Sequence, residues 1–293
     1  MPSSAVDPPV LFVSNYYPPE VNALATRTAE HVRMWVEHGG TVEVLTDVPH
    51  FPEGVVYAGY KNRFSRTLQD GYTLLRVPLI AKPNKGFAGR LVSYLSFMLS
   101  AIWFSRKASR PAAVVGSTPQ PFGAFAALII SRMRRALFVL EVRDLWPETM
   151  DAVGVLRDGW IYDVLERLET LLYRAADHVV IVSPAFRAHI RSRGISDEDI
   201  TLLPNGVDLM RFDAPLSEAT LEQIRCEHGL KNKYVVSYVG TIGMCHGLDV
   251  VLRAAELDRD DRTVYLLVEL AAETVVLVVR VARWRPPEWY EGL

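Results

Sequence analysis

The stretch VLFVSNYYPPEVNALATRTAEHVRMWVEHGGTVEVLT, residues 10–46, decides the fold class. It opens on an apolar run, Val10–Ser14, without strict alternation, as a strand buried on both faces requires. Ala25, Ala29, Val32 and Val36 then recur at steps of three and four within Ala23–His38, which predicts one buried helix face. Gly39–Gly40 ends that helix, because glycine accepts the left-handed cap conformation. A second apolar run, Thr41–Thr46, completes a strand–helix–strand unit.

Outward from there the pattern repeats. Predicted strands are Thr73–Val77, Ala112–Gly116, Ala136–Val142 and His178–Ser183. Predicted helices are Ala88–Lys107, Pro121–Met133, Gly159–Ala176 and Pro184–Arg193. Repeats of this length imply an α/β, doubly wound sheet with right-handed crossovers. A polar join around Pro204–Lys233 precedes a shorter α/β stretch: helix Leu216–Gly229, strand Tyr234–Val239, turn Gly240–Gly247, helix Leu248–Leu257 and strand Thr263–Val268. The expected domains are 1–215 and an incomplete 216–293 with a Val-rich tail, Thr274–Val281.

The 293 residues are 49% hydrophobic and 23% charged, which fits a globular protein of about two domains and excludes a disordered or collagen-like chain. Cys226 and Cys245 are too few for a disulfide framework or a zinc site. Residues 1–9 lack the basic start and apolar core of a signal peptide. The longest near-continuous apolar run, Leu91–Phe104, has 14 residues including three serines. A spanning helix needs about 20, so no membrane crossing is expected.

The net charge of −2 hides an asymmetry. From Gly71 to Leu140 there are ten Lys or Arg and no acid, which leaves 22 bases against 34 acids elsewhere. With Phe87, Phe97, Trp103 and Phe104 interleaved, this segment reads either as a basic face balanced within the fold or as a surface for anionic lipid. No nucleic-acid motif accompanies the charge, so no nucleic-acid partner is expected.

Four constellations carry chemistry. Asn15-Tyr16-Tyr17-Pro18-Pro19-Glu20 leaves the carboxyl end of the first strand, where open α/β sheets bind ligands; a rigid proline turn is the plain alternative. Glu141-Val142-Arg143-Asp144-Leu145-Trp146-Pro147-Glu148 emerges from a buried strand into charge. Arg143 and Asp144 there suit substrate hydroxyls or phosphates, and Trp146 suits a sugar face; an ion pair ordering the loop is the alternative. Pro204-Asn205-Gly206-Val207-Asp208 marks the handover between domains. Gly240-Thr241-Ile242-Gly243-Met244-Cys245-His246-Gly247 joins a strand to a helix, and its glycines let backbone N–H groups approach an anion.

In this order the four resemble the family-4 glycosyltransferases of the GT-B fold, most of all the subgroup that builds bacterial surface polysaccharides, including transferases of fucosamine-type sugars. The resemblance runs from about Val10 to Val268. It implies metal-independent, cofactor-free transfer from a nucleotide-diphosphate sugar to a glycan or lipid-linked acceptor, with anomeric retention. It gives catalytic roles to Arg143, Asp144 and Glu148, and acceptor contacts to Asn15, Tyr17, Glu20 and Trp146. Donor contacts fall on Asn205, Gly206, Asp208, Gly240, Thr241, Gly243, His246 and Gly247. Many relatives place an Arg and a Lys where this chain has Thr241 and His246. The implied location is cytoplasmic, peripheral on the inner face of the plasma membrane.

One departure stands out. After Val268 the family continues with a glycine-rich donor loop and, later, a pair of glutamates; here come Glu269-Leu270-Ala271-Ala272 and the Val-rich tail. The sequence therefore reads as a truncated, inactive donor half behind a complete acceptor half. A non-catalytic acceptor- or membrane-binding remnant is the alternative function. An epimerase of doubly wound fold would need a dinucleotide fingerprint that the chain lacks.

Overall fold

The structure is a computed structural model that describes residues 8–83, 87–147, 159–207, 209, 215–240, 246–257, 263–271 and 274–276. Glu148, Asp208, Thr241 and Gly243, all expected site residues, lie outside the described residues. The chain divides into two compact units, Met1–Asn205 and Gly206–Leu293.

The first unit is built on β1 (Val10–Ser14), α1 (Ala23–Glu37), β2 (Val42–Asp47), β3 (Ser65–Gln69), β4 (Tyr72–Val77), α2 (Phe87–Phe104), β5 (Ala113–Ser117), α3 (Pro121–Arg134), β6 (Leu137–Val142), α4 (Trp160–Ala175), β7 (His178–Ile181), α5 (Phe186–Ser192) and β8 (Ile200–Leu202). Its sheet has the order β3-β4-β2-β1-β5-β6-β7-β8. All neighbours pair in parallel except β3, which runs antiparallel to β4 at the edge. The chain winds outward from β1 through β2 to β4, then returns to β5 on the other side of β1. That reversal leaves a crevice at the carboxyl ends of β1 and β5.

Alternate residues of each strand enter different cores. Leu11, Val13 and Leu45 join Phe97, Ile130, Phe138 and Tyr173 under α2, α3 and α4. Phe12, Val42 and Val44 join Val32 and Tyr17 on the other face. In α1 the expected apolar face is buried at Ala25 and Val32. Asn22 caps its start by accepting from the N–H groups of Leu24 and Ala25 at 3.1 and 2.9 Å. Gly39, at φ +82°, stops it, and Gly39 and Gly40 donate back to Val36 and Trp35.

Three expectations change. The edge strand β3 is polar and mostly exposed, so no apolar run announces it. The predicted helix over 88–107 ends at Phe104, and 105–107 tighten into a 3-10 turn. Of the aromatics expected on a lipid-facing surface, Phe97 is fully buried and Phe104 stacks on Phe64 with ring centroids 4.9 Å apart. Trp103 is exposed, and the side chain of Phe87 lies outside the described ones.

The second unit has α6 (Glu218–Glu227), β9 (Tyr234–Val239), α7 (Leu248–Leu257), β10 (Thr263–Ala271) and β11 (Thr274–Val276). β9 and β10 pair in parallel, with α7 between them in sequence, and β11 returns antiparallel to β10. Among the described residues no helix is long and apolar enough to cross a membrane.

Gly116 tests the sheet–helix contact. A Cβ there would lie 2.6 Å from Ala127 Cβ and 3.1 Å from Ala124 Cα. Gly116→Ala should therefore destabilise the protein by about 1–3 kcal/mol through overpacking. Urea denaturation reads this as a lower midpoint; an unchanged midpoint would mean that α3 can lift off β5 freely.

Candidate active site

The carboxyl end of β6 is fixed by a buried ion pair. Arg27, on α1, donates Nε to Glu141 Oε1 at 2.8 Å, and both side chains are under a tenth exposed. The rest of the guanidinium is used as fully. Nη2 donates to Leu203 O at 2.9 Å, and Nη1 donates to Pro204 O at 3.2 Å and Asn205 Oδ1 at 3.0 Å. Glu141 Oε2 accepts from Ser117 Oγ at 3.0 Å, and His31 Nδ1 lies 3.7 Å from Oε1. Burial lowers the His31 pKa, although the Glu141 charge partly opposes this. Thus α1, the ends of β5 and β6, and the exit from the first unit share one charge cluster.

From that cluster the chain turns out through Arg143 and Asp144. The Arg143 N–H donates to Thr118 Oγ1 at 3.0 Å, and its Nη2 donates to Ala23 O at 3.0 Å. Burial lowers the Arg143 pKa, with Glu141 opposing and Arg27 adding to the fall. Asp144 contributes its carbonyl to Thr118 Oγ1 at 3.4 Å. The Trp146 N–H donates to Glu169 Oε1 at 3.2 Å. Glu169 is buried on α4 and also accepts from Tyr173 Oη at 2.6 Å. An α4 carboxylate therefore pins the loop that carries Arg143, Asp144 and Trp146.

Around the exit of β1 lies a second polar cluster. Glu20 and Tyr17, both expected to touch an acceptor, are each 2% exposed. Glu20 Oε1 accepts from the N–H groups of His50 and Phe51, both at 2.9 Å. Its Oε2 accepts from Tyr17 N–H at 3.3 Å. Glu20 thus clamps the loop after β2 to the loop after β1. Asn15 donates Nδ2 to Asp47 Oδ2 at 3.4 Å. Arg76, at the end of β4, donates to Asp47 O at 2.8 Å and to Pro18 O. Burial and the Glu20 charge push the Asp47 carboxyl well above its usual 3.8, and Arg76 opposes them. Burial likewise raises Glu20, against three backbone N–H groups and Arg76.

Glu20, Asp47 and His50 place one ligand atom each within 4.8 Å of one another, the spacing of a metal-binding trio. His50 Nδ1, however, faces Val48 O at 3.1 Å, so this nitrogen carries the proton and donates. With Arg76 supplying positive charge, the trio works as a buried hydrogen-bond network rather than a ready metal site. Above it Tyr16, His50, Lys82, Arg90, Ser93 and Tyr94 line a small cavity. Burial and the bond to Tyr94 hold the Tyr16 phenol far above its ordinary pKa.

At the β1–β5 crevice a Cβ on Gly123 would lie 3.5 Å from Asn15 Oδ1. Gln120 caps α3 by accepting from the Gly123 N–H. In the second unit, Gly240 follows β9, and Gly247, at φ +57°, leads into α7. The His246 ring meets Tyr238 edge-on at 6.1 Å. The structure therefore ties Asn205 to the Arg27–Glu141 cluster and holds Arg143 beside it through Thr118 and the Ala23 carbonyl. Asn15 and Glu20 meet the separate Asp47 cluster, and Gly240, His246 and Gly247 lie between β9 and α7 of the other unit. Sequence reading missed Arg27, Asp47, His50, Arg76, Thr118 and Glu169. Only the apolar surroundings of Asp47 and Arg76 within their runs hinted at any of them.

Two substitutions test these clusters. Arg27→Met leaves Glu141 buried without its cation and should cost about 3–5 kcal/mol, whereas adding Glu141→Gln should return part of that loss. Denaturant unfolding of both variants decides it. For Asp47, a raised folded-state pKa means that the native state holds a proton that the unfolded chain releases. Its stabilising share is full below 3.8 and falls as pH rises through the folded-state value. Asp47→Asn should flatten the dependence of Tm on pH above 3.8 and raise Tm near neutrality; parallel pH profiles in the two proteins would refute the assignment.

The sequence and the architecture match known proteins. The model of the glycosyl transferase 4-like domain family matches residues 22–206. An Escherichia coli (strain K12) protein provisionally named the colanic acid biosynthesis glycosyl transferase WcaI is 24% identical over 258 residues, 86% of this chain and 63% of that protein. A Pseudomonas aeruginosa protein provisionally named the glycosyltransferase WbjE is 24% identical over 60% of this chain and 43% of its own length. Among solved structures, Anabaena HepE in complex with UDP-glucose superposes with a TM-score of 0.57 at 15% identity, over 89% of this chain and 61% of HepE. The chain thus spans under two thirds of the length of these relatives. The matched segment runs from the Asn22 cap of α1 through Asn205 to Gly206, and on that match the chain belongs to the glycosyl transferase 4-like family, with the α/β layering of GT-B proteins.

Proposed function

We propose that the protein transfers a sugar, with retention of anomeric configuration, from a nucleotide-diphosphate sugar to a lipid-linked glycan acceptor in surface-polysaccharide synthesis, at the cytoplasmic face of the plasma membrane. The observation that carries this reading is the gathering of three groups at the carboxyl end of a doubly wound sheet: Asn205 accepts from Arg27 of the buried Arg27–Glu141 pair, while Arg143 and Asp144 are held by Thr118, next to Ser117 of that cluster, and Arg143 also by the Ala23 carbonyl of α1. The colanic acid role in the name of the E. coli relative and the UDP-glucose bound by HepE favour the same class of donor and product.

In this reading Arg143 and Asp144 orient the reacting sugar and acceptor, with Trp146 on the same loop and Glu148 following two residues later in the sequence. Asn15, Tyr17 and Glu20 shape the acceptor side. Asn205, Gly206, Asp208, Gly240, Thr241, Gly243, His246 and Gly247 serve the donor. As the glycosidic bond breaks, the leaving diphosphate gains charge. Backbone N–H groups at the start of α7 are fixed dipoles that stabilise this charge more in the transition state than in the ground state. His246, once protonated, adds a cation without a metal ion or other cofactor.

The test is release of nucleoside diphosphate by the purified chain from a panel of nucleotide sugars, with polyprenyl-diphosphate glycans as acceptors. Turnover should depend on both substrates, and Arg143→Ala and Asp144→Asn should each lower it by about a hundredfold or more with the fold intact. Near-normal turnover in either variant would make that residue structural. Acceptor binding without any donor cleavage would favour the non-catalytic reading, and with it the expectation from the sequence after Val268 that the donor half is inactive.

A further inference from the structure

We propose that the outer face of α2 docks the protein on an anionic bilayer. The inner side of this helix, Ser93, Phe97 and Ala101 at steps of four, is buried. On the opposite side Val92, Leu99 and Trp103 follow at steps of seven and four, a single stripe by helical geometry. Leu99 is 63% exposed and Trp103 64%. Ile80, more than half exposed, extends the stripe sideways, because its N–H donates to Ser96 Oγ in the middle of α2 at 2.9 Å.

Cations crowd the far end of this stripe. At the first turn Lys82 and Arg90 instead line the cavity over His50, on the inner side of the helix. At the far end the Arg106 guanidinium sits 3.6 Å over the Trp103 ring, beside Lys107. The whole stretch from 71 to 140 has no acid to compete. Exposed apolar side chains beside charges of one sign complement the acyl boundary and headgroups of an anionic leaflet. An indole carrying a guanidinium suits that boundary, where the ring sits at the headgroup level and the charge reaches phosphate.

The orientation has a consequence that rests on the proposed lipid-linked acceptor. The same helix gives Arg90, Ser93 and Tyr94 to the small cavity over His50. A bilayer lying along α2 would therefore present headgroups beside the acceptor-side loops.

Vesicle flotation of the full chain, with no donor or acceptor present, tests the docking alone. Binding should occur to phosphatidylglycerol-containing vesicles and not to pure phosphatidylcholine vesicles, and should weaken with salt. Leu99→Ser with Trp103→Ser should reduce partitioning by about tenfold or more. Arg106→Glu with Lys107→Glu should reduce it by roughly fivefold for each cation removed. Both pairs lie on exposed positions and should leave Tm unchanged. Arg33→Glu, on α1 across the sheet, should bind as the parent does. Equal binding to the two vesicle types, or undiminished binding by the serine pair, would overturn the proposal. So would tight binding of single-stranded RNA that ignores the serine pair, or self-association that the serine pair abolishes. A failed transfer assay leaves the vesicle result standing, so the two readings fail separately.

Discussion

The Arg27–Glu141 pair is the constraint on which the catalytic end of the first unit depends. Two charges taken out of water lose several kcal/mol of hydration each, and attraction alone rarely returns it. The remaining polarity must be matched by hydrogen bonds. Here the guanidinium meets Glu141, two carbonyls and the Asn205 amide, and the carboxylate meets Arg27 and Ser117. The pair and its partners come from four separate parts of the chain, so satisfying the charges fixes the positions of α1, β5, β6 and the segment after β8 together. Shifting any of them would strand a buried charge.

The second network, around Asp47, applies the same physics to loops. Glu20 fixes the loop after β2 through backbone N–H groups, and Arg76 holds the loop after β1 through the Pro18 carbonyl. Loops held by charge-assisted bonds to backbone groups keep their shape without an apolar core of their own. The cavity lined by Tyr16, Ser93 and Tyr94 lies on that support. Its walls are thus set by residues that need not touch a ligand, which is why Glu20 reads as a support once its partners are seen.

Most of the fold was legible because burial of parallel strands leaves apolar runs and burial of helix faces leaves a period near 3.6. Val10–Ser14 and Ala23–Glu37 matched their predicted starts for that reason. The strand Ser65–Gln69 left no such trace, since an edge strand half-open to water selects no apolar residues. The short strand Ile200–Leu202 buries only its first residue, too little to register as periodicity. The site was legible as loops but not as bonds. Arg27 and Glu141 are 114 residues apart, and Arg27 looked like any polar position on a helix. Asp47, Arg76 and Glu141 sit within or at the end of apolar runs, and that misfit was the one local signal that each must meet a partner.

That misfit also bears on function. Val, Leu or Met at 27, 47, 76 and 141 would fill the same space with no desolvation cost, and such replacements of buried ion pairs are often neutral or stabilising. Stability alone therefore does not account for these charges. Apart from Glu43, which serves Arg66 and Ser109, the charged side chains buried within the strands lie toward their carboxyl ends. An α/β sheet opens its ligand crevice at that edge. A buried charge that has one satisfactory arrangement specifies geometry more sharply than an apolar contact, which tolerates sliding. Placing such charges beneath Arg143, Asp144 and the Asn15 loop keeps those groups from relaxing toward one another, and fixed polar groups are what a charge-developing reaction requires.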